Sequence, residues 1–215
     1  MKRSTAEVIR EYGPLPGAER VNGVSYDGQR VWVATGDRLT ALDPETGETL
    51  RSIDVAAYAG TAFDGRYLYQ IADDRIQKID PDAGKVLSTI PTPAGGASGL
   101  AWAEGSLWVG QFQNRKIHQL DPETGAIRRT IESNRHVTGV TWVDGELWHA
   151  TWEDNSSEIR HIDSESGEVI EALAMPPGVA VSGLESDGGH RFFCGGASSA
   201  KLRAVRRPER AGKKR

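Results

Sequence analysis

Short apolar runs, rich in aromatic and β-branched residues, recur along the chain and are cut by turns containing Gly, Asp and Pro. Examples are Arg30-Val31-Trp32-Val33-Ala34-Thr35, Tyr67-Leu68-Tyr69-Gln70-Ile71, Ser106-Leu107-Trp108-Val109-Gly110 and Glu146-Leu147-Trp148-His149-Ala150. This spacing predicts β-strands, because alternate side chains on a pleated chain face opposite sides. No stretch sustains the period of a helix.

The punctuation between the runs repeats. Leu42-Asp43-Pro44-Glu45-Thr46-Gly47 returns as Ile79-Asp80-Pro81-Asp82-Ala83-Gly84, Leu120-Asp121-Pro122-Glu123-Thr124-Gly125 and Ile162-Asp163-Ser164-Glu165-Ser166-Gly167. A tighter turn precedes each: Asp27-Gly28, Asp64-Gly65, Glu104-Gly105 and Asp144-Gly145, with a further copy at Asp187-Gly188. Ahead of those turns stand Gly23, Gly60, Gly99, Gly139 and Gly183, which are 37, 39, 40 and 44 residues apart. Proline presets φ and glycine supplies φ > 0, so both turn types join antiparallel strands. A period near forty residues with several short strands per repeat predicts an all-β, five-bladed β-propeller with four antiparallel strands per blade.

The last repeat supplies strands near 181–185, 190–195 and 200–206 but lacks a fourth. Glu7-Val8-Ile9-Arg10-Glu11-Tyr12 matches the outer strands of other repeats, such as Glu48-Thr49-Leu50-Arg51-Ser52-Ile53. The N-terminal strand is therefore expected to complete the last blade and close the ring, which removes the sheet edge that would invite self-association. Residues 1–205 are expected to form one domain, with 206–215 as a basic tail. Trp32, Tyr69, Trp108, Trp148 and Phe193 recur once per repeat and are expected to pack blade on blade.

Composition narrows the function. Charged residues make up 26% and hydrophobic residues 38%, which suits a folded chain rather than a disordered one. The net charge is −4, yet Arg206 to Arg215 hold six basic residues against one acidic, so the rest is markedly acidic. An acidic body is a poor surface for nucleic acid, and no apolar run is long enough to cross a bilayer as a helix. A single cysteine, Cys194, allows no internal disulfide, and the N-terminus leads into no apolar segment. A cytoplasmic monomer is expected, with a small molecule or peptide as partner and neither nucleic acid nor membrane.

Ligands of propellers gather where the innermost strands converge, because every blade contributes there. Two rings of equivalent positions are candidates. The first precedes the landmark glycines: Asn22, Ala59, Ser98, Thr138 and Ser182. The second follows the repeated aromatics: Val33, Gln70, Val109, His149 and Cys194. If both lean toward one mouth, the site is a cup of hydroxyls and amides with Gln70, His149 and Cys194 as its reactive members. His149 beside Cys194 would be a thiolate–imidazolium nucleophile. Gln111 and Phe112 in one repeat, and Trp152 and Glu153 in the next, occupy equivalent loops. There the aromatics would stack on a ligand and Glu153 would serve as acid or base. His118, His161 and His190 fall on outer strands or turns and receive no role. No phosphate-binding glycine loop, Cys-x-x-Cys or His-Glu-x-x-His motif is present, so no cofactor is expected.

The segment from Thr138 to Trp152, Thr138-Gly139-Val140-Thr141-Trp142-Val143-Asp144-Gly145-Glu146-Leu147-Trp148-His149-Ala150-Thr151-Trp152, resembles a recurring stretch of the propeller-type glutaminyl cyclases. The repeats also resemble those of virginiamycin B lyase and of gluconolactonase-type propellers. The resemblance implies a propeller acting on a small molecule. In the cyclases it implies a glutamate after the aromatic of an early blade, where Val33 and Gln70 stand, and an asparagine where Thr138 stands. Conversion of N-terminal glutamine is therefore not expected. In the gluconolactonase-type enzymes it implies metal ligands at the residue before the glycine, where this chain has no carboxylate, so no metal is expected. Three readings stay open: a cofactor-free lyase, cyclase or hydrolase; a non-catalytic ligand- or peptide-binding propeller; and an interaction scaffold.

Overall fold

In the computed structural model, which describes residues 1–209, the repeats form five antiparallel sheets. Two strands precede the first repeat, β1 (Lys2–Thr5) and β2 (Val8–Tyr12). Blade one is β3 (Gly23–Tyr26), β4 (Val31–Ala34), β5 (Leu39–Leu42) and β6 (Thr49–Ile53). Blade two is β7 (Thr61–Phe63), β8 (Leu68–Ala72), β9 (Arg75–Asp80) and β10 (Lys85–Pro91). Blade three is β11 (Leu100–Ala103), β12 (Ser106–Gln111), β13 (Lys116–Leu120) and β14 (Ile127–Glu132). Blade four is β15 (His136–Val143), β16 (Glu146–Glu153), β17 (Ser156–Ile162) and β18 (Val169–Ala174). Blade five is β19 (Gly183–Ser186), β20 (Arg191–Gly195) and β21 (Leu202–Arg206), completed by β2. The order within each blade is a simple meander, and the innermost strands β3, β7, β11, β15 and β19 meet in a ring.

Turn chemistry accounts for the meander. The Asp43 carboxylate accepts the amides of Glu45 and Thr46 at 2.8 and 2.7 Å, and Asp80, Asp121 and Asp163 repeat this in the next three blades. In the tighter turns, Glu104-Gly105 and Asp144-Gly145 both have two successive positive φ angles, 53° and 66°, then 54° and 79°. That is the twist a two-residue hairpin requires. The Asp27 carboxylate also reaches forward to the indole of Trp32, with Nε1 donating at 2.8 Å. Glu146 takes the Trp148 indole at 2.9 Å. In blade three no carboxylate does so, and the buried Nε1 of Trp108 has no partner.

The ring closes through the N-terminal strand, as the repeat pattern predicts. β2 pairs antiparallel with β21, from Val8 opposite Val205 to Tyr12 opposite Leu202. Glu11 bonds Arg203 at 2.6 Å and Lys201 at 3.1 Å across this seam. The Tyr12 hydroxyl donates to the Pro44 carbonyl at 2.6 Å, tying blade five to blade one. One strand was not legible in the repeat: β1 adds to the outside of blade four, parallel to β18. The expected tail boundary at 206 also shifts. Arg206 ends β21, and the buried Arg207 pairs with Asp144 at 2.7 Å. The rest of the expected tail, 210–215, lies outside the described residues.

The core consists of five layers between blades rather than one centre. Each repeated aromatic faces the next blade: Trp32 lies against Leu68 and Ile79, Trp108 against Val140 and Leu147, and Trp148 against Leu184 and Phe192. Near the axis the five landmark glycines meet backbone of the following blade. A Cβ on Gly23 would fall 2.2 Å from the Ala59 carbonyl oxygen, and one on Gly60 2.5 Å from the Leu100 nitrogen. None of the five has a positive φ, so close approach of the inner strands, not backbone conformation, demands glycine there.

Candidate functional site

The residue before each landmark glycine ends at one face of the ring. Asn22, Ala59, Ser98, Thr138 and Ser182, one per blade, line a cavity of about 350 Å³. Tyr58, Phe112 and Trp152 add aromatic walls and Arg20 a cation. The hydroxyls of this ring join neighbouring blades. Ser98 Oγ donates to the Val137 carbonyl at 2.7 Å, and Ser182 Oγ donates to the Val21 carbonyl. Arg20 Nε lies 3.4 Å from Asn22 Oδ1. Thr138 Oγ1 is buried without a partner. Phe112 stacks on His136 with ring centres 4.4 Å apart, and His136 Nδ1 lies 2.9 Å from the Phe112 carbonyl oxygen. Glu153 is not in the cavity wall; its carboxylate pairs with Arg115 at 3.0 Å, which holds it as an ion-pair partner.

The second ring does not share that mouth. Every member points between blades, toward the preceding one. Val33 packs into the layer between blades five and one, and Val109 into that between two and three. Gln70 is fully buried, its amide donating to the carbonyls of Ala59 and Ile71 at 3.0 and 2.8 Å. Cys194 lies among Trp148, Ala150 and Leu184, between blades four and five. Burial raises its thiol to about 12, so it stays protonated. His149, 1% exposed, lies in a different cleft with Asn134 and Arg160, between blades three and four. Burial, and then Arg160, lower its imidazole to about 3, so the ring is neutral. The sheet of blade four separates the two, and no thiolate–imidazolium pair forms. Equivalent positions on successive blades face the same way round the ring, so they cannot face each other.

Gln111 is likewise internal. Its amide donates to the carbonyls of Ala94 and Gly96 at 2.9 and 2.8 Å, and its Oε1 lies 3.0 Å from both Asn114 Nδ2 and His118 Nε2. His118 therefore braces blade three.

One carboxylate near the axis was not singled out from the sequence. Glu185, on β19, accepts the Thr141 hydroxyl at 2.5 Å and the Ser186 amide at 2.8 Å, while Ser25 faces it from blade one. Burial raises it from 4.5 to about 7, against the opposing effect of those bonds. A signal existed. Two residues after the landmark glycine the repeats carry Ser25, Ala62, Ala101, Thr141 and then Glu185, a carboxylate among small side chains. Among the described residues, no three His, Cys, Asp or Glu side chains gather as a metal centre would need.

Comparison with known structures supports the architecture. The chain is similar to the crystal structure of Myxococcus xanthus glutaminyl cyclase, with a TM-score of 0.79 and 18% identity over 95% of this chain and 97% of that one. It is also similar to Kuenenia stuttgartiensis hydrazine synthase, at TM-score 0.52 and 18% identity over 83% of this chain and 56% of that one. A chain of the mitotic checkpoint complex aligns at TM-score 0.58 and 12% identity, covering 96% and 93%. At these identities the likeness is one of fold. No curated protein sequence matches the chain. Residues 72–206, more than half of the chain, match the family model described as outer membrane protein assembly factor BamB, and the chain belongs to that family.

Proposed function

We propose that this propeller binds a small ligand at the mouth where its five blades converge, without acting on it chemically. One observation carries the reading: a single residue from every blade meets in one cavity of about 350 Å³. That volume lies within the range of ordinary ligand sites, roughly 300–1,000 Å³. Tyr58, Phe112 and Trp152 suit a planar or apolar portion of the ligand, Arg20 an acceptor or anionic portion, and the unpartnered Thr138 hydroxyl one hydrogen bond. The ring hydroxyls of Ser98 and Ser182 donate to backbone carbonyls, and no base in the described structure is hydrogen-bonded to them, which favours binding over nucleophilic chemistry. The partner in this reading is the ligand, not nucleic acid or membrane.

A thermal-shift screen of small molecules against the wild type, Thr138→Val and Trp152→Ala tests this. Expected are compounds that raise the melting temperature of the wild type and do so less in both variants. Compounds that stabilise all three proteins equally would refute the mouth as the site.

A second reading, a scaffold in outer membrane protein assembly, draws on the family description and on Leu50, Leu87, Ile127 and Ile170, exposed on the fourth strands of blades one to four. Cell fractionation separates the two. Recovery with the membrane fraction would favour the scaffold, and recovery in the cytoplasm the ligand binder.

A further inference from the structure

The cleft between blades three and four, away from the mouth, is lined on its inner side by polar side chains. It encloses about 400 Å³ and is lined by Ser133, Asn134, His149 and Arg160, with Glu132 and Glu168 at its outer lip. We propose that this cleft is a second binding site, for a small molecule carrying a carboxylate or phosphate oxyanion.

Three features of the wall carry the proposal. Arg160, 4% exposed, is a fork of five N–H donors. It gives Nε and Nη2 to Glu158 at 2.7 Å and Nη1 to Asn134 Oδ1 at 2.6 Å, which leaves donors over. His149 is 1% exposed, lines the cleft, and its Nδ1 has no partner. Leaving a buried polar atom unpaired costs roughly 1–3 kcal/mol, so a partnerless ring nitrogen in a cavity wall calls for a ligand or water; in the tautomer of the neutral ring that carries the proton on Nδ1 it donates to an oxyanion. Asn134 uses its oxygen on Arg160, which leaves its Nδ2 amide for an occupant.

The cation of the wall is held in place by a buried ion-pair cluster, and the two lining carboxylates stand at the outer lip. Glu158, 5% exposed, is met by three arginines: Arg160 at 2.7 Å, Arg3 at 3.2 Å and Arg135 at 3.4 Å. Of these three only Arg160 lines the cleft itself; Arg135 lies behind it, and Arg3 is largely exposed, where its charge is screened. Of the lip carboxylates, Glu132 is paired with Lys116 at 3.3 Å and both are exposed to solvent, where their influence is screened. Arg3, from the extra strand β1 on blade four, bonds Glu158 from the solvent side.

The test uses the whole protein in a buffer free of oxyanions. Inorganic phosphate and acetate are titrated in separate arms, with chloride at matched ionic strength as the control. The imidazole resonance of His149, assigned by its absence in His149→Val, is followed by NMR together with the melting temperature. A saturable shift with phosphate alone identifies a phosphate-bearing ligand, with acetate alone a carboxylate, and with both the shared oxyanion; each supports the site. Asn134→Ala removes one donor from the rim and is expected to weaken the responding anion about tenfold, the loss of one hydrogen bond to a charged group. Phosphate and acetate responses no larger than that of chloride would overturn the proposal. So would an undiminished thermal response in both His149→Val and Asn134→Ala. Should His149→Val fail to fold, the wild-type NMR titration and Asn134→Ala decide alone.

Discussion

Glu185 should make the propeller less stable as pH rises through neutrality, and Glu185→Gln should remove that dependence. The carboxyl titrates at about 7 in the folded chain against an ordinary 4.5, because burial between the inner strands of blades four, five and one disfavours its charge. The unfolded state releases the proton first. The stabilisation is therefore complete below about pH 4.5 and is lost as pH climbs to 7 and beyond. A displacement of that size, at 1.36 kcal/mol per pH unit, is worth about 3 kcal/mol. For a chain of this length that corresponds to a difference of about 6–12 °C in melting temperature. The assay is thermal or urea unfolding of both proteins from pH 4.5 to 8.5, scored as variant minus wild type. The subtraction cancels His118, His149 and His161, which burial holds below their usual range in both proteins. The Gln amide can still accept from Thr141, so any fixed offset is independent of pH. A difference that stays flat across the range would refute the reasoning.

Further expectations follow from single contacts. Deleting residues 1–12 removes β2 and its seam with β21 and should lower the melting temperature steeply, whereas deleting 1–5 strips only the outer β1 and should cost less; equal effects would contradict ring closure by β2. Trp32→Phe loses the bond from Nε1 to Asp27 and should cost about 1.5–3 kcal/mol beyond the change in packing. Trp108→Phe removes an indole nitrogen that has no partner and should cost measurably less in the same unfolding assay. The purified protein should not convert N-terminal glutamine to pyroglutamate above the spontaneous rate, since Val33 and Thr138 occupy the positions where the cyclase resemblance implies glutamate and asparagine. Pyroglutamyl peptide detected by mass spectrometry would reverse that.

The chain by itself determined the blade count, the strand order and the closure of the ring. Those properties are set by local chemistry repeated in sequence: an Asp that accepts two amides, a Gly that permits the turn, an aromatic one strand later. The mouth was legible for the same reason. Asn22, Ser98, Thr138 and Ser182 each stand one residue before a glycine that must sit at the axis, and Phe112 and Trp152 stand at equivalent hairpins. What only the tertiary structure decided is which way a side chain faces between two blades. Val33, His149 and Cys194 occupy one repeat position, yet that position points into three different layers, where Val33 and Cys194 are packing and His149 lines a polar cleft. Sequence spacing carries no term for the blade on the other side. Burial of Glu185 arises from contacts between blades, the three arginines gather around Glu158 from separate parts of the chain, and β1 reaches its place on blade four from the far end of the chain.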